Sequence, residues 1–145
     1  MKTLASRDNP TFKALRALAA DPRRVGRTLL DGPHLLAAYL DKVGLPQRVV
    51  VSESGTANAE VQALLARCAG SEILALRDAL FGELSGVDTP VGILAEIAIP
   101  AMPTAQVTAS CVVLDAVQDA GNVGTILRTA AAAGLRDIVL GAGCA

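Results

Sequence analysis

The chain has 145 residues, of which 52% are hydrophobic and 19% are charged, and its formal net charge is −1. This composition excludes a disordered chain and predicts one ordinary domain, or one domain and part of a second. Aromatic residues make up only 2% of the chain, which argues against aromatic base-stacking as its main contact to any nucleic acid.

The cysteines and the single histidine limit which disulfide and metal sites the chain can form. Cys68, Cys111 and Cys144 are odd in number, widely spaced and form no Cys-x-x-Cys pair, so free thiols are favoured over disulfides or zinc. His34 is the single histidine, which excludes a His-based metal cluster. No apolar run is long enough to span a membrane, and the polar N-terminus lacks the apolar core of a signal peptide. We therefore expect a cytoplasmic protein without a metal or a membrane partner.

Basic residues are concentrated near the N-terminus. Residues 1–27 hold seven Lys or Arg against two Asp, a local charge of +5, whereas the remaining residues carry −6. A basic segment on an acidic body can contact phosphates, although an ordinary solvated helix is the alternative interpretation. The candidate residues for such contacts are Lys13, Arg16, Arg23, Arg24 and Arg27.

The first hundred residues alternate helices and strands. Asn9-Pro10 predicts the start of the first helix, with Asn as N-cap and Pro at the first helical position. Its predicted apolar stripe is Phe12, Leu15, Leu18 and Ala19. Further helices begin near residues 33, 59 and 77, and strands are predicted at 28–31, 48–52, 72–76 and 91–99. This order predicts a compact α/β domain over residues 1–99, followed at 100–109 by an extended linker with two prolines and no charge.

Residues 110–145 predict a strand, a loop, a helix and a second strand. The apolar runs are Val112–Leu114 and Asp137–Leu140. We predict the helix from about Val123 to Ala133, with Asn122 as its N-cap and Gly134 in the left-handed conformation just past its end. A strand, a crossover helix and a strand form a right-handed parallel unit of an α/β sheet.

The end of the first of these strands is the expected ligand-binding edge. Gly124 and Arg128 are four residues apart and share a helix face. Since Gly124 has no side chain, a ligand can approach the backbone there and Arg128 can reach over the gap. An anion or a ribose-phosphate suits an Arg beside a helix N-terminus. In the alternative interpretation, Asn122 only caps the helix, Gly124 only permits close packing and Arg128 is a surface charge.

The same stretch resembles the first conserved motif of the SpoU/TrmH branch of the SPOUT RNA methyltransferases. That motif is a strand ending in Asp, a Gln-Asp-x-Gly-Asn loop and then Gly-x-x-x-Arg-Thr-Ala. The matching positions here are Asp115, Gln118, Asp119, Gly121, Asn122, Gly124, Arg128, Thr129 and Ala130. These enzymes transfer a methyl group from S-adenosylmethionine to a ribose 2′-hydroxyl of tRNA or rRNA. The resemblance therefore implies that Arg128 and Asn122 are catalytic and that the basic N-terminal residues bind RNA.

The resemblance also assigns the two catalytic residues their roles. Because Arg is always charged near neutral pH, Arg128 is expected first to hold a phosphate and stabilise a developing alkoxide. Removal of the hydroxyl proton by Arg128 comes second and needs the complete site. Asn122 is expected to orient Arg128 or the ribose.

The first 99 residues resemble the substrate-binding domain, similar to a small ribosomal protein, that often precedes the catalytic domain in this family. The corresponding positions are Ser6, Asn9, Lys13, Leu30, Asp31, Gly32, Thr89, Pro90 and Gly92. Two departures from the family pattern are Asp31 where Glu is usual and Val91 where Gln is frequent.

The resemblance implies an α/β fold class with a defined domain order. Residues 1–99 form the RNA substrate-binding domain, and residues 110–145 form the first β-α-β unit of a SPOUT (α/β knot) methyltransferase domain. Two further family motifs, which form the knot, bind S-adenosylmethionine and supply much of a homodimer interface, have no counterpart in the sequence. We therefore expect the N-terminal portion of an enzyme, truncated before the knot and inactive by itself, with unknown cofactor-binding residues and a homodimeric parent.

Two alternatives remain. The first is a non-catalytic RNA-binding module that retains a remnant of the methyltransferase fold. The second is an unrelated nucleotide-binding α/β protein. Against the second, residues 121–124 lack both the Gly-x-Gly-x-x-Gly turn and the Lys-Ser/Thr of a P-loop.

Overall fold

The computed structural model describes residues 1–22, 26–100, 107 and 109–145. The chain divides into two compact units, Met1–Pro100 and Ala101–Ala145, called unit 1 and unit 2 below and described separately. Arg23, Arg24 and most of the predicted linker lie outside the described residues. The assignment of RNA binding to residues 1–99 and of catalysis to residues 110–145 stays a prediction.

Unit 1 is a five-stranded sheet with helices on both faces. Its strands are β1 (Lys2–Leu4), β2 (Arg27–Asp31), β3 (Arg48–Ser52), β4 (Glu72–Leu76) and β5 (Ile93–Ala98). Its helices are α1 (Pro10–Ala20), α2 (Pro33–Lys42), α3 (Ala59–Arg67) and α4 (Asp78–Gly82). The spatial order is β1-β4-β3-β5-β2, in which β1, β4 and β3 are parallel and β5 is antiparallel to β3 and β2. The predicted α/β class is confirmed.

The core of unit 1 has two halves because neighbouring side chains of a strand point to opposite faces of the sheet. Val50 packs with residues of α1 and α4, including Phe12 and Phe81. Val49 and Val51 belong to the cluster on the α2 and α3 side. Since both faces are covered, β3 is an uninterrupted apolar run, as expected for a fully buried strand.

Helix α1 begins as predicted. The Asn9 side chain accepts a hydrogen bond from the Thr11 backbone N–H at 2.9 Å, and Pro10 is the first helical residue. Phe12, Leu15 and Leu18 are buried. Ala19 is exposed, so its predicted place in the apolar stripe is wrong, because a single row spaced three residues apart covers the sheet.

The predicted strands of unit 1 agree with the structure except for β1 and β5, its first and last strands. Strands β3 and β4 have the predicted bounds, whereas β5 is shorter than predicted and begins directly after Gly92, whose φ is 96°. Strand β1 was not predicted. It pairs in parallel with Leu74–Leu76 of β4, and only its Leu4 is buried. A three-residue strand with two polar residues carries too little periodicity to be recognised locally.

Unit 2 is a parallel β-α-β unit formed by β6 (Cys111–Leu114), α5 (Ala120–Ala132) and β7 (Asp137–Leu140). The buried side chains of α5 are Val123 and Ala130. Gly134 has a φ of 80° and follows the end of the helix, as predicted. The predicted order of strand, helix and parallel strand is confirmed.

The thiols of the described residues are unpaired. Cys68, Cys111 and Cys144 are free cysteines. Burial raises the pKa of the Cys68 thiol, and nearby Arg67 partly offsets this effect. Within the described ranges, no helix combines the length and the apolar character that a bilayer crossing requires.

Candidate active site

The start of α5 is set by Asp119. This residue has an extended backbone (φ −85°, ψ 117°), and its carboxylate accepts a hydrogen bond from the backbone N–H of Asn122 at 2.7 Å. The prediction that Asn122 caps the helix is therefore wrong, and α5 begins at Ala120 rather than near Val123. A carboxylate at the N-cap also interacts favourably with the helix dipole, which an uncharged Asn does not.

Asn122 consequently lies inside the first turn of α5, three positions after the cap, and its side chain is exposed. Its backbone N–H is occupied by Asp119, so the side-chain amide is the part that can meet a ligand. An amide offers both a donor and an acceptor, which is the chemistry needed to orient a ribose hydroxyl.

Arg128 lies against the bare backbone of Gly124. A Cβ placed on Gly124 would be 3.2 Å from Nη1 of Arg128, so the guanidinium occupies the space that a side chain at position 124 would need. Arg128 is exposed, and its charge is therefore accessible to an anion. The structure brings Gly124 and Arg128 together in the predicted arrangement, while the catalytic role of Arg128 stays a prediction.

Thr125 connects Arg128 to the first turn of α5. The Thr125 hydroxyl donates to the carbonyl of Gly121 at 2.9 Å, and Nη2 of Arg128 donates to the same hydroxyl oxygen at 3.1 Å. A hydroxyl has one hydrogen and two lone pairs, so both bonds can exist together. Thr125 was not predicted as a site residue, although it lies three residues before Arg128 on one helix face.

The loop between β6 and α5 contains a strained residue. Ala116 has a φ of 52°, a conformation that costs a non-glycine residue about 1–2 kcal/mol. The segment after β7 runs beside this loop, because Gly141 N–H donates to the Leu114 carbonyl at 2.7 Å and Ala145 N–H donates to the Val117 carbonyl at 3.0 Å. The end of β6 is therefore held in place by the chain that follows β7.

A groove of about 270 Å³ lies in unit 2. It is lined by Val112, Thr125, Ile126, Thr129, Ala130, Ala133 and Leu135. These side chains are apolar or carry a hydroxyl, and none is a carboxylate that could face the sulfonium or ammonium group of S-adenosylmethionine. The lining of this groove does not fit that cofactor. The described residues also contain no cluster of three or more His, Cys, Asp or Glu side chains for a metal ion.

The described members of the predicted RNA-binding set each lie beside a carboxylate. Lys13 Nζ is 3.0 Å from Asp8, Arg16 Nη1 is 3.7 Å from Glu83, and Arg27 Nη1 is 3.0 Å from Glu96. The three basic side chains are about half exposed. The Lys13–Asp8 pair is exposed on both partners and therefore weak, so a phosphate can compete for Lys13. The partner of Arg27, Glu96, is buried.

The structure does not gather these basic residues into one patch. Arg16 lines a cavity together with Glu83 and Asp31, whereas Arg27 lines a different groove together with Arg48. Arg23 and Arg24 lie outside the described residues. The RNA-binding role of all five predicted residues stays a prediction.

Unit 2 thus has a parallel β-α-β order and carries an Asn-x-Gly-x-x-x-Arg sequence at the start of its helix, the combination expected for the first part of a SpoU/TrmH-type catalytic domain. Comparisons with known proteins agree with this class. The chain is 32% identical to the 23S rRNA (guanosine(2553)-2′-O)-methyltransferase RlmP of Bacillus subtilis (strain 168), over 148 aligned residues that cover 100% of the chain and 56% of that protein. No family model matches the chain.

Solved structures give the same result for the fold. A protein described as an RNA methyltransferase of the TrmH family from Porphyromonas gingivalis matches with a TM-score of 0.71 and 31% identity, covering 92% of this chain and 52% of that one. An AdoMet-bound rRNA methyltransferase from Sinorhizobium meliloti matches with a TM-score of 0.74 and 27% identity, covering 99% and 56%.

The resemblance to the N-terminal portion of SpoU/TrmH-family RNA 2′-O-ribose methyltransferases is therefore confirmed in sequence and in fold. The chain spans about half the length of the relatives that it matches.

Proposed function

We propose that the protein acts in the S-adenosylmethionine-dependent methylation of an RNA ribose 2′-hydroxyl. In this proposal residues 1–99 bind the RNA and residues 110–145 supply the first part of the catalytic domain. The observation that carries the proposal is the Arg128 guanidinium lying over the bare backbone of Gly124. The similarity to RNA 2′-O-methyltransferases supports the reaction type, and the AdoMet-bound relative supports the cofactor.

Arg128 acts electrostatically in this proposal. Its guanidinium holds the phosphate next to the target ribose and stabilises the negative charge that develops on the 2′-oxygen. Thr125 fixes the orientation of the guanidinium through the bond to Nη2. The exposed amide of Asn122, in the first turn of the same helix, orients the ribose. S-adenosylmethionine, when bound, supplies the methyl group.

We propose rRNA rather than tRNA as the substrate class, because the Bacillus and Sinorhizobium relatives are both rRNA methyltransferases. We propose a cytoplasmic location with it, because the rRNA of a bacterium such as Bacillus subtilis lies in the cytoplasm. A homodimer of the complete enzyme is proposed from the family resemblance alone.

The second candidate function is an RNA-binding module without catalysis. It is favoured by the lack of fit between the unit 2 groove and S-adenosylmethionine. On either proposal we expect the 145-residue chain to bind RNA without transferring methyl groups by itself. Measurable turnover by this chain would contradict that expectation.

Isothermal titration of S-adenosylmethionine separates the two proposals. The cofactor is titrated into the 145-residue chain and into a longer chain in which residues 1–145 continue into the second half of the Bacillus relative. The methyltransferase proposal predicts binding to the longer chain. If neither chain binds the cofactor although both are folded, the RNA-binding module is the better account.

A further inference from the structure

Few of the side chains that usually stack on RNA bases are available in this chain. It contains no Trp, two Phe, one Tyr and one His, and both Phe12 and Phe81 are buried in the core of unit 1. Tyr39 is half-buried and His34 is exposed, and both lie on α2. With so few aromatic side chains, the planar guanidinium of Arg is a further flat group on which a base can stack.

Unit 1 presents guanidinium groups along one groove. The groove has a volume of about 430 Å³, in the range of small-ligand sites. Ala14, Leu15 and Leu18 of α1 form its apolar side. Strands β2, β3 and β5 supply the polar side, which consists of Arg27, Arg48 and Glu96.

A buried carboxylate fixes the two arginines. Glu96 is only 4% exposed. Its Oε1 accepts from Nη1 of Arg27 at 3.0 Å, and its Oε2 accepts from Nη1 of Arg48 at 2.6 Å. Arg48 also donates through Nε to Glu72 at 2.8 Å. Charge-assisted bonds of this kind hold the guanidinium groups in place before a ligand arrives.

Arg27 is the member of this network that offers an open face. The side chain of Arg48 is 23% exposed, whereas that of Arg27 is 49% exposed. Arg48 stands directly opposite Glu96 in the sheet register, but Arg27 stands opposite Ala98 and reaches Glu96 from the edge strand β2. Cross-strand pairing therefore explains the Arg48–Glu96 bond better than the Arg27–Glu96 bond.

The charge of the network also restricts the ligand. Arg27 and Arg48 are balanced by Glu72 and Glu96, so the groove has no excess charge with which to attract a phosphate. An apolar wall opposite a held guanidinium suits a flat, uncharged ring. A nucleobase has this shape, and stacking tolerates any base because each has a π-face.

We propose that this groove binds one unpaired nucleobase of the RNA, with the Arg27 guanidinium as the stacking surface and the apolar side of α1 as the opposite wall. The inference rests on the proposed RNA-binding function and adds the site at which a base is held.

The test measures the affinity of the 145-residue chain for a short fluorescein-labelled single-stranded RNA by fluorescence anisotropy over a series of salt concentrations. Arg27→Lys keeps the charge and the partner Glu96 but removes the flat group. We expect the affinity to fall by about fivefold or more, as for loss of one stacked base. The salt dependence should not change, because the number of cations is the same.

Arg67→Lys is the matched control, because Arg67 is 44% exposed and paired with Asp41 but does not line the groove. It should leave the affinity unchanged. A second control is an RNA of the same length without bases, which should bind wild type and Arg27→Lys equally. Unfolding midpoints confirm that both variants are folded.

Two results would overturn the inference. If wild type binds RNA but Arg27→Lys binds as tightly as Arg67→Lys, the groove is an ion-pair network alone and the proposed RNA binding still stands. If wild type binds neither RNA, the RNA-binding proposal fails and the groove assignment fails with it.

Discussion

The two units differ in how completely they bury their sheets. In unit 1, helices cover both faces, and β3 contributes Val49, Val50 and Val51 to two separate core clusters. In unit 2, the described residues place Val113, Val139 and Leu140 at the surface with exposures of 64%, 40% and 47%. Unit 1 therefore has a closed core, whereas the described part of unit 2 leaves apolar side chains of its sheet at the surface.

The arginines of the two units also differ in whether a carboxylate neutralises them. Arg27 and Arg48 of unit 1 are bonded to buried Glu96. Arg128 of unit 2 bonds to the uncharged hydroxyl of Thr125 and forms no salt bridge with any residue that the structure describes. Arg128, the residue proposed for catalysis, thus retains its full charge for a ligand, while Arg27 and Arg48 of unit 1 are neutralised.

The largest expected loss of stability follows from truncating a core leucine, and it is compared between the two units. Leu74→Ala in β4 removes a side chain with 0% exposure between covered faces and should reduce the free energy of unfolding by about 3–5 kcal/mol. Leu114→Ala in β6 removes a side chain with 5% exposure whose strand partner Leu140 is 47% exposed. It should reduce local stability by about 2 kcal/mol, the transfer term alone. Hydrogen exchange of the two sheets measures both values. Equal losses would contradict the contrast between a closed and an open core.

The next largest loss of stability is expected where two backbone segments of unit 1 pack closely at Gly92. Gly92 has a φ of 96°, and a Cβ there would lie 2.5 Å from Ser52 Oγ and 2.7 Å from Gly55 Cα. Gly92→Ala should therefore cost about 2–4 kcal/mol, from overpacking and from the positive φ.

Gly82→Ala is the matched control, because a Cβ on Gly82 meets nothing within 4 Å. It should be neutral or slightly stabilising in its helix. Urea unfolding followed by circular dichroism compares the two. If Gly92→Ala were as stable as Gly82→Ala, the framework of unit 1 would be looser than the structure shows.

The smallest effect concerns the strained loop of unit 2. Ala116→Gly relieves the positive φ but adds entropy to the unfolded chain, so we expect a change between zero and about 1 kcal/mol of stabilisation. Ala131→Gly in α5 is the control and should destabilise by about 1 kcal/mol. Hydrogen exchange of unit 2 measures both. A destabilised Ala116→Gly variant would show that Ala116 is not strained.

Strands and helices that are bounded by turn-forming residues could be predicted from the sequence. The bounds of β3, β4 and β7 match the structure, because each is an apolar run between turn-forming residues. The parallel β-α-β order of unit 2 followed from the same patterns together with the handedness of crossovers. The Gly124–Arg128 arrangement could be predicted because a helix fixes which residues share a face.

The remaining errors have physical causes. Asp119 and Asn122 are three residues apart in the sequence and have nearly equal cap preferences, so local propensity could not choose between them. Strand β1 exists through its pairing with β4, a contact between distant residues that its own sequence does not encode. The left-handed Ala116 has no sequence signal, since Ala rarely adopts that conformation.

The most direct test of the account is methyl transfer from labelled S-adenosylmethionine to rRNA by residues 1–145 joined to the second half of the Bacillus relative. Arg136 is the exposed control arginine in unit 2. The account predicts that Arg128→Ala lowers the rate by about 100-fold, as for loss of a charge-stabilising group, whereas Arg136→Ala retains the wild-type rate. An active fusion in which Arg128→Ala and Arg136→Ala are equally fast would contradict the assignment of Arg128 to catalysis.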